Sequence, residues 1–387
     1  MSAPRTPLIA VFAAAALAHV GTAQVRWRAG CDPGAAATPI DLGPQGVRVS
    51  TPGSGERVIP LDCVADVEGP MRAQWAPLAE EAELAWRGRA RLERGDFAGA
   101  EDLLEPLYIR HAAEPGPFST RLARAVMSCR LARGALTQAV HPMLGVAGGE
   151  PVAPPRVPTG PGELDPELLY DDAWGLSPLL APIFVRLPAV QALAHGPWPA
   201  SPDRGGRGPA ISAAFEAAAK FETGLPVSLG PRPTSDAGAA LAYDVVAARA
   251  GNPEQVAAAR AALRERLSQP GPDWVNIWCR TALGRSMISD PDPDTRWLGV
   301  AELLRVPAMS ERSQPYLTGI CLAHAAVTLD QLGDTRGAAT IARQFEARFP
   351  GHPVLQWEPL QRIAARPQAD PARPAPQAPP TTSGDPP

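Results

Sequence analysis

The sequence predicts a mainly α-helical protein: an array of helical hairpins behind a small N-terminal β unit, interrupted by a Pro-rich irregular insert. Three observations predict it. Aromatic residues make up only 5% of the chain while Ala and Gly abound, which suits closely packed helices better than a thick β core. The 47 prolines cannot all sit inside helices, so extended segments must lie between helical ones. One turn also recurs, a Gly followed five positions later by a small residue: Gly95-Asp96 with Ala100, Gly134 with Ala139, and Gly333-Asp334 with Ala338.

The 387 residues suffice for a sizeable core or for two or three modules. Net charge is −4 and the isoelectric point about 5.9, so no global basic field favours nucleic acid or anionic lipid.

Residues 1–23 read as a signal peptide. Arg5 supplies the positive start, "PLIAVFAAAALA" (7–18) is an apolar run too short to span a bilayer, and "GTA" (21–23) puts small residues before a cut between Ala23 and Gln24. The competing reading is an uncleaved anchor. A lipid anchor at Cys31 is disfavoured, because the charged Arg28 stands where an aliphatic residue is needed. No later apolar run reaches about 18 residues, so no membrane span is expected after cleavage. The expected location is periplasmic or extracellular.

Export permits disulfides. Five cysteines is an odd count. Cys31 and Cys63 flank one small segment and are the candidate disulfide. Cys129, Cys279 and Cys321 each sit in an apolar helical stretch and read as buried small hydrophobes.

Residues 24–70 are the β unit. "GVRVS" (46–50) alternates, "TPGSGE" (51–56) is turn chemistry, and "RVIPLDCVADV" (57–67) resumes with Pro60 marking an edge or bend. Two or three short strands are marginal alone, so this unit leans on the helices or on a Cys31–Cys63 staple.

Residues 71–149 are helical hairpins. In "PLAEEAELAWRGRARLERGDFAGAEDLLEPLYIRHA" a first helix ends at Gly95, which can adopt the left-handed conformation. Asp96 caps the next helix, Ala100 allows close approach, and Leu103, Leu104 and Leu107 form an inner stripe. A second unit spans 121–147. Beyond the insert, 209–365 continues with "LAYDVVAARAGNPEQVAAARAALRERL" (241–267), where Val256 replaces the small residue. "WVNIWCRTALGRSMI" (274–288) and "TRWLGVAELLRV" (295–306) form a pair with a remade turn. The last unit carries Ala326, Leu329, Gly333-Asp334, Ala338, Ala342, Phe345 and Pro350. At these spacings the pattern resembles a tetratricopeptide repeat. The resemblance implies a TPR-like α-solenoid, in which stacked helix pairs cover each other's apolar faces, and it implies partner binding.

The insert, 150–208, contains "EPVAPPRVPTGPG" and "GPWPASPDRGGRGP", which exclude long helices. The apolar stretch between them should wrap across the helices and bury Leu179, Leu180, Ile183 and Phe184, with room for a short helix at 188–195. The tail, 366–387, is Pro-rich, has almost no large apolar side chain, and should be disordered.

Chemistry is less legible. "DPDPD" (290–294) departs from a calcium loop, with Thr295 in place of the sharp-turn Gly, and reads as a turn capping the next helix. The histidines are scattered, His324 beside Cys321 reads as a core residue, and no Cys/His spacing suggests a metal site. No GxSxG and no phosphate loop occurs, so no cofactor is expected. Trp274, Trp278 and Trp297 are candidate partner-binding residues if they line a groove, and core filler otherwise. The leading expectation is an exported non-catalytic scaffold or adaptor for a protein or peptide. The alternatives are a carboxylate-dependent hydrolase of the cell envelope using Asp171 and Asp172 near the insert, and an envelope component tethered by its tail.

Overall fold

A computed structural model describes residues 23–366 apart from 32, 35–36, 54, 150–165 and 199–205. The expected signal peptide up to residue 22, the Pro-rich start of the insert and the tail from residue 367 lie outside the described residues. Those described form a mainly helical molecule with small antiparallel sheets at the N-terminal end.

Strand β1 (Gln24–Trp27) pairs antiparallel with β5 (Val64–Glu68), and β2 (Thr38–Gly43), β3 (Gly46–Thr51) and β4 (Gly55–Pro60) form a three-stranded meander. Alternation works as the pattern dictates: Val47 and Val49 are buried and Arg48 between them is exposed. Pro60 ends the edge strand β4. Gly46 sits at φ +131°, and a Cβ there would lie 1.9 Å from the Ile59 carbonyl oxygen, so only Gly lets β3 start this close to β4. A disulfide joins Cys31 to Cys63 and ties the loop after β1 to the turn before β5.

The helices follow: α1 (Arg72–Trp75), α2 (Ala79–Leu92), α3 (Phe97–His111), α4 (Pro117–Ala132), α5 (Leu136–Ala147), α6 (Pro166–Leu169), α7 (Pro188–His195), α8 (Arg207–Thr223), α9 (Ala237–Ala250), α10 (Pro253–Ser268), α11 (Asp273–Met287), α12 (Pro293–Ser310), α13 (Pro315–Gln331), α14 (Thr335–Arg348) and α15 (Glu358–Ala364). From α2 to α5 and from α7 to α14 each helix packs on its successor, and α15 folds back on α13 and α14.

The recurring turn has one physical form in three places. Gly95, Gly134 and Gly333 take φ values of +78°, +74° and +93°. Asp96 then accepts a hydrogen bond from the Gly99 amide (3.0 Å) and Asp334 from the Gly337 amide (2.8 Å), which satisfies free N–H groups of the next helix. Ala100, Ala139 and Ala338 are fully buried where the paired helices meet. The turn between α9 and α10 is built differently. Gly251 has φ −74°, and Asn252 closes a reciprocal capping box with Gln255 ahead of Pro253. Between α11 and α12 it is Asp292 that caps, accepting from the Asp294 and Thr295 amides. There the close approach falls mid-helix, where a Cβ on Gly284 would lie 2.7 Å from the Leu303 side chain.

The insert is laid across the helices. Leu179, Leu180, Ile183 and Phe184 are buried, and α7 occupies the stretch 188–195. Two carbonyls of this irregular segment accept hydrogen bonds from α11, Pro178 from Trp278 Nε1 (2.9 Å) and Phe184 from Arg285 Nη2 (2.6 Å). Buried apolar residues form two clusters: one joins the β unit to α1–α4, the other runs from α4 to α15.

Candidate functional site

A recess bordered by charged groups lies where α2 and α4 flank the β unit. It encloses about 1280 Å³ counted out to its open mouth. Trp86 and Arg89 are one turn apart on α2, and Arg121 and Arg124 one turn apart on α4, so each pair shares a helix face. Ala85, Ala90 and Ala125 stand between them and leave space that longer side chains would fill. Arg28 lies over the Trp86 ring at 4.5 Å and donates to Glu83 (2.7 Å).

Asp62 anchors the floor. It is buried, and an isolated buried carboxylate is expensive. Arg89 Nη1 donates to its Oδ2 at 2.6 Å, and Arg121 Nη1 to Oδ1 at 3.0 Å. Two guanidinium groups share one carboxylate, which leaves one positive charge in excess beside it, while Arg28 and Arg124 are paired with Glu83 and Asp172. Glu93, 3.7 Å from Arg89 Nε, is 41% exposed and well screened. The disulfide lies on the same wall: Arg121 Nη1 is 3.0 Å from Cys63 Sγ, and Arg89 Nη1 is 3.8 Å from Cys31 Sγ. The arrangement favours an anionic group arriving from solvent, and the disulfide sulfurs beside the arginines are electrophilic. Among the described residues no group of three or more His, Cys, Asp and Glu is placed to hold a metal ion.

The tryptophans are placed apart. Trp274 and Trp278 stack edge to face, centroids 5.0 Å apart, and both are buried beneath the insert, where Trp174 covers Trp274. Trp297, on α12, is 43% exposed. The three therefore line no common groove. Asp171 and Asp172 also have separate partners. Asp171 accepts from the amides of Ala173 and Trp174, closing a local turn, while Asp172 pairs with Arg124. No shared reacting centre lies between them.

A second charged cluster is largely buried. Arg285, buried, donates to Glu222 Oε1 (2.7 Å) and to His324 Nε2 (3.2 Å), while Arg249 Nε meets the same Glu222 oxygen at 3.0 Å. His324 therefore accepts through Nε2 and is neutral. Burial, aided by the Arg285 and Arg249 charges, holds its pKa well below the ordinary value of 6.5. Near the C-terminal end, burial likewise lowers His352 to about 4, opposed by its bond to the Tyr316 carbonyl.

These histidines set a pH dependence. Their folded pKa values lie below the unfolded value, so between about pH 6.5 and 4 the unfolded chain binds protons that the folded chain refuses. Their stabilisation is complete above pH 6.5 and is lost as pH falls. Denaturant unfolding at pH 7 and pH 5 should show a lower midpoint at pH 5, and His352→Gln should flatten the difference. An unchanged slope in that variant would exclude His352 as a contributor.

No protein-family model, curated protein or solved structure matches the chain. Cys31 and Cys63 are legible in the sequence, but Arg89 and Arg121 are not, since they lie 27 and 59 residues beyond Asp62 with no recognisable spacing.

Proposed function

We propose that the chain is an exported, non-catalytic scaffold that binds a protein or peptide on the face between α2 and α4, and that its helix pairs form a TPR-like array. One observation carries the reading: the open, Arg-bearing recess is flanked by the first helices of two successive pairs, the side on which such arrays present their partner surface. The recurrence of the Gly-Asp turn with its buried Ala supports the repeat. The Cys31–Cys63 disulfide suits an oxidising compartment. The guanidinium groups favour an acidic segment of the partner.

The test is retention of a partner from the exported proteins of the source cells on immobilised full-length chain. Trp86→Ala, which removes the aromatic wall of the recess, should cut retention about tenfold with little change in melting. Retention unaffected by this variant would place the partner elsewhere, and no retention by the wild-type chain would overturn the scaffold reading.

A further inference from the structure

The wall of the recess that carries Cys31–Cys63 has a chemistry beyond partner binding. We propose that this disulfide is a thiol–disulfide exchange site for a dithiol reductant. The two sulfurs are placed unequally. Cys31 lines the recess, whereas Cys63 is buried behind it. Arg121 Nη1 touches the buried sulfur at 3.0 Å, and both terminal nitrogens of Arg89 lie within 4 Å of the outer one, at 3.8 and 3.9 Å.

An incoming thiolate is drawn by the excess positive charge beside Asp62 and meets Cys31 Sγ first. As the new S–S bond forms, the Cys31–Cys63 bond breaks and its electron pair leaves on Cys63, beside Arg121. A cation at a sulfur stabilises the thiolate and makes it a better leaving group. The charges then balance: Arg89, Arg121 and Asp62 sum to one positive charge, which the Cys63 thiolate neutralises. The reductant's second thiol gives up its proton and attacks its own sulfur in the mixed disulfide. Cys31 departs and takes a proton, and the reductant leaves as a disulfide. Two electrons have passed to the protein, and, counted from the neutral dithiol that loses a proton to become the attacking thiolate, one proton is released overall. Glu93 opposes thiolate formation only weakly, from its exposed position at the rim.

The experiment equilibrates the oxidised full-length chain, without denaturant, against buffers of reduced and oxidised dithiothreitol. Free thiols are trapped by alkylation and counted by mass. Arg121→Gln should make reduction at least tenfold less favourable, about 30 mV, and slow it by a similar factor. Arg121→Lys, which keeps the charge, should recover most of both. A purely structural role for Arg121 predicts the opposite sign, because loosening the site exposes the sulfurs and eases reduction. Arg121→Gln reducing as readily as wild type, or more readily, overturns the proposal. No partner protein is involved, so a failed retention experiment leaves this result standing, and the reverse.

Discussion

Arg285→Met is expected to lower the free energy of unfolding by about 3–5 kcal/mol, the range found when one member of a buried ion pair is removed. Arg285 is 4% exposed, and its burial lowers its own pKa against the pull of Glu222. Three acceptors on three different segments depend on it: Glu222 on α8, His324 on α13 and the Phe184 carbonyl in the insert. Methionine fills a similar volume with no donor. Glu222 keeps Arg249, but the Phe184 carbonyl and His324 Nε2 lose a buried partner, each at about 1–3 kcal/mol. Urea unfolding followed by circular dichroism measures the change. A loss below about 1 kcal/mol would mean that water or a neighbour replaces the guanidinium, and that the cluster does not pin the insert.

Gly238→Ala should be comparably severe, about 3 kcal/mol, at the upper end of overpacking costs. The added Cβ would lie 1.8 Å from the Trp174 carbonyl oxygen, so neither side of the clash is a side chain free to rotate. Either α9 or the 171–176 turn must shift. Trp174 packs on Trp274, so the shift should also appear as a change in tryptophan fluorescence in the folded state. A variant with wild-type fluorescence and stability would mean that this turn does not seat on α9.

Much of the helical architecture is legible in the sequence because its turns obey local rules. A Gly that must be left-handed and an Asp that must cap leave a readable trace, and Gly95-Asp96 and Gly333-Asp334 do both jobs. Burial of Leu179 and Phe184 is legible from hydrophobicity alone. The route of the insert is not, because the contact that fixes it, Arg285 to the Phe184 carbonyl, joins positions 101 residues apart and ends on a backbone atom that any residue carries. Gly284 is unreadable for a related reason: a mid-helix Gly looks like a weakness until the Leu303 side chain opposite is known. The candidate site is the least legible part. Arg89 and Arg121 resemble any other arginine in this chain, and only the fold brings them to Asp62 and the disulfide.

Helix α4 belongs to both buried clusters, giving Phe118, Leu122 and Val126 to one and Met127 and Leu131 to the other. No cut in a loop can therefore divide the molecule into two self-sufficient pieces, since whichever fragment keeps this rod carries it with one greasy flank stripped bare. A tug on the N-terminal strands would travel inward through it, making it the splice on which the two halves hang.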